Sequence, residues 1–231
     1  MPGRKTLIVG ATGRLGVAIA ERLHARGDEV VLTARDPNKL EALSASLGGV
    51  PYICSDLLRA DAVEIIVDGL RAKNIRIQDL ILACGPFPRT PFEALRREDL
   101  QQTITVHAIA PLLLVHALKD NLVAAKGAVV ALGDSGVSRP YENHVAYITA
   151  KGALATGLRA LAVELAPDVR VNSIALGIVA DAEADADPLR THRLASRSPL
   201  GRFGTPEEVV HVVLALLDAT WATGEVWGVG R

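Results

Sequence analysis

Tyr147 and Lys151 stand four residues apart in "NHVAYITAKGAL", and Asp134 precedes the tyrosine by thirteen residues at the end of the apolar run "VVALGD". On a helix, residues i and i+4 share a face, so a phenol and an ammonium at this spacing point the same way. A free tyrosine ionises near pH 10, poorly matched to proton transfer at neutral pH, and a neighbouring ammonium draws that value down. The pair therefore suits general acid catalysis, with Tyr147 as proton donor and Lys151 as its charged neighbour. The alternative is an ordinary helix face. Two uses of Asp134 stand open. It is either a carboxyl companion that holds Tyr147, shares its proton or bonds ring nitrogens of a substrate, or it caps a loop while Ser135 polarises a carbonyl.

Such side chains need a frame. Strand-like runs at 5–10, 29–33, 50–54, 78–83, 127–132, 169–175 and 225–229 alternate with helical patterns at about 14–26, 37–47, 59–73, 98–124, 144–166 and 205–219. That alternation predicts βαβ units and a parallel sheet covered on both faces. The fold class is α/β: a single-domain, doubly wound sheet of about seven strands spanning 1–231. The first unit, "LIVGATGRLGVAIAERLHARG", sets Gly10, Gly13 and Gly16 between a strand and a helix. Glycines there let the backbone turn tightly and approach a pyrophosphate, which the helix N-terminus favours, as in a Rossmann dinucleotide site. The second strand ends in Ala34 and Arg35 rather than in the acidic residue that holds a ribose 2′-hydroxyl. With Arg14 in the turn, two guanidiniums suit a 2′-phosphate and predict NADP(H). Asp56 and Leu57, after the third strand, are placed where an adenine could rest. The irregular segment 177–204 reads as a substrate lid or binding loop, and its acidic "ADAEADAD" as a mobile solvated helix in the alternative.

Composition removes several classes. With a net charge of −1 and no long run of like charges, the chain carries no footprint for nucleic acid or acidic lipid. Apolar stretches are of strand length or amphipathic, so no membrane span is expected. "MPGRK" leads straight into a strand-like run with no signal-peptide core, which makes the cytoplasm the default location. Cys54 and Cys84 are too few for a disulfide framework, have no metal-ligand spacing, and read as small buried residues. No metal is expected.

With the glycine turn, "AYITAK" and the strand order together, the chain resembles the short-chain dehydrogenase/reductase family over essentially its full length. The resemblance implies a reductase in which Tyr147 donates a proton and Lys151 holds the nicotinamide ribose. Asp134 stands where the family has serine, and His107, in "TVHAIAP", where it has asparagine. It further implies cofactor contacts from Gly10, Thr12, Gly13, Arg14, Leu15, Gly16, Arg35, Asp56, Leu57, Ala83, Cys84, Gly85, Tyr147, Lys151, Gly177 and Val179. Asp134, His107 and Phe87, the last in "LACGPFPRTPF", resemble the dihydromonapterin/dihydrofolate and pteridine reductases. A substrate site of Phe87, Asp134 and Tyr147 would then sandwich a pterin against the nicotinamide. A general ketone or quinone reductase is the rival reading. A non-catalytic NADPH sensor is another, because "LACG", "LG" (Leu176, Gly177) and the ending "TGEVWGVGR" depart from family motifs. The resemblance also implies a homotetramer or homodimer built on helices 98–124 and 144–166.

Overall fold

The computed structural model describes residues 3–180, 188–196 and 198–230. Seven strands form one all-parallel sheet: β1 (Lys5–Val9), β2 (Glu29–Ala34), β3 (Tyr52–Cys54), β4 (Asp79–Leu82), β5 (Ala128–Asp134), β6 (Arg170–Leu176) and β7 (Val226–Val229). Their order is β3-β2-β1-β4-β5-β6-β7. The connection after β1 runs one way across the sheet and that after β4 the other, so a crevice opens beyond the carboxyl ends of these two strands. The expected seven strands are all present, each within about two residues of the range read from sequence.

Burial on both faces explains why the strands read as near-continuous apolar runs. Leu7 and Val9 of β1 join one core cluster with residues of α3 (Ala62–Ala72), α5 (Ala110–Ala117) and α7 (Val145–Glu164). Ile8 points the other way, into a cluster with α1 (Arg14–Arg26), α2 (Pro37–Ser46) and α9 (Pro206–Asp218). Period-two alternation thus splits a single strand between two cores.

The region expected as one helix over 98–124 is divided. α4 (Arg97–Ile104) passes through a π-helical turn, Thr105–Ile109, into α5, and α6 (Lys119–Ala124) follows after Leu118 leaves helical geometry. Pro111 supplies a reason for the wide turn, since a proline ring clashes with the carbonyl four residues before it, here that of His107. The run Arg97–Ala117 also corrects the reading of apolar stretches, because it is long and apolar enough to cross a membrane by length and composition. Its apolarity matches a core helix: His107, Ala108, Ala110, Leu114 and Val115 are buried.

Two further expectations change. The segment 177–204, read as irregular, contains α8 (Pro188–Ala195), and its ends are tied by a parallel bridge between Val179 and Gly204. Most of the acidic "ADAEADAD" stretch, residues 181–187, lies outside the described residues. Cys54 is exposed, not buried, because it ends the short edge strand β3; Cys84 is half-buried.

Candidate active site

The glycine turn is built by close backbone approach. Gly10 has φ +82°, and a Cβ there would sit 2.7 Å from the Ala83 carbonyl oxygen and from Cys84 Cα. At Gly16 a Cβ would run into the Gly10 carbonyl. Only glycine lets β1, the turn and the segment after β4 meet this closely. The meeting forms one wall of a cleft of about 540 Å³, lined among others by Gly10, Thr12, Gly13, Arg35, Lys39, Asp56, Leu57, Ala83, Cys84 and Gly85. Its volume is that of a cofactor site.

The cleft suits a dinucleotide, and the groups at the end of β2 face the ribose end of such a site. Asp36, the acidic group nearest the end of β2, accepts from the Asn38 and Lys39 backbone N–H groups as the cap of α2. Its Oδ1 is therefore occupied, while the residue itself lines the cleft. Arg35 and Lys39, by contrast, line the cleft exposed and have no carboxylate partner among the described residues. Arg14, expected beside them, instead donates to the Val179 carbonyl at 3.2 Å, joining the turn to the segment after β6. Leu15 packs partly into the core, and Gly16, Gly177 and Val179 stand outside the lining. Gly177 is pressed against the Gly230 backbone, where a Cβ would not fit.

A second cluster stands beside the cleft. Cys84, Gly85, Pro86 and Pro88 line the cleft, while Phe87, between them, meets the Tyr147 ring edge-on with centroids 4.8 Å apart. Asp134, the last residue of β5, settles the choice of neighbour for the phenol: Tyr147 donates its O–H to Asp134 Oδ2 at 3.0 Å. Oδ1 accepts from the Gly136 N–H at 2.7 Å and from the Tyr141 O–H at 3.0 Å. Lys151 is 5% exposed, and its Nζ donates to the Leu132 carbonyl at 2.8 Å while lying 5.7 Å from the Tyr147 ring centroid.

The electrostatics reverse one expectation. Tyr147 is not made acidic. Burial, first, and then the Asp134 charge push its pKa far above the usual value for a phenol. Burial also lowers the Lys151 pKa, opposed by nearby acidic groups. Tyr147 is thus held protonated, because a phenolate here would face a carboxylate at hydrogen-bond distance in a poorly solvated site.

His107 occupies the π-helical turn and is 1% exposed. Its Nε2 bonds the Pro86 carbonyl at 2.9 Å, which requires a proton on Nε2 and leaves Nδ1 as a buried acceptor without a partner. Its ring stands edge-on to Tyr147 at 5.2 Å, and burial lowers its pKa to about 3. Gly85, at φ +106°, makes room for that ring.

Two residues escaped the sequence reading. Tyr141 shares the Asp134 carboxylate, and His144 stacks on Phe87 with centroids 4.5 Å and planes 20° apart. "RPYENHVAY" carried the signal, two aromatic-type side chains six and three residues before Tyr147, but nothing local said where that loop folds back. Among the described residues no group of His, Cys, Asp and Glu could hold a metal ion.

The glycine turn, the strand order and the Tyr147–Lys151 pair define a dinucleotide-binding oxidoreductase scaffold. Comparison with known proteins agrees. The family model described as enoyl-(acyl carrier protein) reductase matches residues 10–230. The chain is 30% identical over 224 residues to the L-xylulose reductase of Bos taurus, covering 94% of this chain and 90% of that protein. The solved short-chain dehydrogenase/reductase of Brucella melitensis, described as glucose/ribitol dehydrogenase, is 30% identical with a TM-score of 0.88, covering 99% and 96% of the two chains. The L-sorbose reductase of Gluconobacter frateurii, solved with NADPH and L-sorbose, shares the fold at a TM-score of 0.91 and 24% identity, covering 99% and 95%. The chain belongs to the short-chain dehydrogenase/reductase family, whose members are NAD(P)-dependent oxidoreductases. The pteridine-reductase subgroup expected from Asp134, His107 and Phe87 finds no support in these relatives, which are named for sugars.

Proposed function

We propose that the chain is an NADPH-dependent reductase of a small carbonyl compound, with Tyr147 as the proton donor. The observation that carries this reading is the Asp134–Tyr147–Lys151 cluster, joined through residues 84–88 to the cleft that exposes Arg35 and Lys39. When bound, a reduced nicotinamide supplies the hydride. The chain's own residues do the rest. Tyr147 gives its hydroxyl proton to the substrate oxygen, and the nearby Lys151 ammonium offsets the charge left on the phenol. A positioned acid of this kind is worth about 10²–10⁴-fold in rate. The sugar reductases among the relatives support an open-chain or cyclic polyol ketone as substrate.

One observation favours a second reading, a flat ring with a C=N bond such as a dihydropterin. A carboxylate in place of a serine hydroxyl accepts from ring N–H groups rather than donating to a carbonyl oxygen, and Phe87 is 59% exposed beside it. NADPH oxidation followed at 340 nm across ketoses, quinones and dihydropterins separates the two. Ketose turnover that survives Asp134→Ser supports the carbonyl reading, whereas turnover of dihydropterins alone, lost in Asp134→Ala, supports the second. Tight NADPH binding without oxidation by any of them would defeat both and leave a cofactor sensor. We further infer self-association through the exposed Ile109, Leu113 and Val163 on the α4–α5 run and α7, which light scattering of the purified chain would test.

A further inference from the structure

Asp134 presents three occupied contacts, and two of them are phenols. Tyr147 is the proton donor in the reading above; Tyr141 has no part in it. Tyr141 lies in the loop between the 3₁₀ turn Ser135–Val137 and α7, half-buried, with its hydroxyl 3.0 Å from Asp134 Oδ1. Burial and the Asp134 charge keep this phenol protonated as well. The fold goes to some length to hold the ring there. A Cβ at Gly136 would collide with Tyr141 Cε1, so the turn is glycine where the ring passes. Asn143 adopts φ +64°, and its carbonyl accepts from the Thr90 N–H at 2.7 Å, tying the Tyr141 loop to the segment that carries Phe87.

We propose that Tyr141 is a positioning residue: with the Gly136 N–H it locks Asp134 Oδ1, so that Oδ2 faces the Tyr147 hydroxyl. The inference rests on the reductase reading of this site and extends it. Without Tyr141 the carboxylate keeps one N–H on Oδ1 and a single phenol on Oδ2, and turns more freely about its Cβ–Cγ bond; a second, converging donor on Oδ1 restricts that rotation. Tyr147 is then held in one position, from which its O–H can leave Oδ2 for the substrate oxygen. The titratable groups facing that carboxylate are Tyr141 from the loop and Tyr147 and Lys151 from α7, while His107, on the α4–α5 run, and His144, at the start of α7, reach it only through the tyrosine rings.

The test is Tyr141→Phe, which keeps the ring and removes one oxygen, with Tyr141→Ala as the coarser variant. In the NADPH-bound full-length enzyme, Tyr141→Phe is expected to lower kcat about tenfold, with KM and the NADPH dissociation constant within about twofold of the unmodified chain. A merely structural role would not lower kcat alone while leaving KM and NADPH affinity in place. A crystal structure of Tyr141→Phe should show Asp134 rotated and the Tyr147 contact lengthened. If Asp134 keeps its 3.0 Å bond to Tyr147 in the variant, or kcat is unchanged, or KM and NADPH affinity worsen along with kcat, the proposal is overturned. Should the unmodified chain reduce no carbonyl or C=N compound, the reductase reading fails instead, and the orientation of Asp134 in the variant still decides the role of Tyr141.

Discussion

The glycine turn and the carboxylate–phenol cluster border the same cleft but are made in opposite ways. The turn is a contiguous stretch, Gly10 to Gly16, whose function lies in backbone shape: a positive φ, contacts that exclude a Cβ, and a helix that begins directly after it. The cluster draws single side chains from four places, the segment after β4, the π-helical turn, the end of β5 and the start of α7. One is specified by what is absent at three positions, the other by side chains that meet only after the sheet has formed. It follows that damage to the turn should cost folding and binding together, whereas damage to the cluster should cost chemistry and leave the fold intact.

The sharpest way to break this contrast is at its two extremes. Gly10→Val places a branched side chain against the Ala83 and Cys84 backbone at a positive φ and is expected to lower Tm by about 10 °C and abolish NADPH binding, read by calorimetry and fluorescence titration. Tyr147→Phe should do the reverse, lowering kcat about 10³-fold while Tm and NADPH affinity stay close to those of the unmodified chain. A Tyr147→Phe protein that loses the cofactor would show that the two regions are one structural unit after all.

His107 tests whether the cluster strains the fold. Its folded pKa of about 3 lies below the unfolded value near 6.5, so the unfolded state binds the extra proton between those limits. The stability present above pH 6.5 is therefore lost as pH falls toward 3, by about 3 kcal/mol at pH 4. In His107→Asn the drop in urea-unfolding free energy between pH 7 and pH 4 should shrink by that order. An unchanged drop would mean that the imidazole is not buried as neutral. The smallest effect is expected at the rim of the turn, where Arg35→Ala should cut the preference for NADPH over NADH by about tenfold, measured as the ratio of kcat/KM values.

The same contrast explains what was legible from the chain alone. Gly10, Gly13 and Gly16 could be read because strand, turn and helix are adjacent in sequence, and Tyr147 with Lys151 because helical periodicity puts i and i+4 on one face. Asp134 was visible as a candidate but not as a choice over Ser135, since which of two neighbouring side chains turns toward α7 depends on how β5 ends. The effect of Lys151 on Tyr147 was misjudged for a related reason: spacing reports the neighbouring ammonium but not the burial, nor the carboxylate at the hydroxyl. Tyr141 and His144 went unread because their loop is placed by a contact between Asn143 and Thr90, far apart in the chain.

Periodicity, glycine placement and strand alternation, all short-range properties of the covalent chain, therefore determined the α/β class, the run of elements and the location of the dinucleotide turn. The protonation of the phenols, the choice of Asp134, the place of Tyr141 and the π-helical setting of His107 were decided only by the tertiary structure. Each depends on desolvation and on contacts between residues distant in sequence, and neither exists until the sheet and its helices have packed.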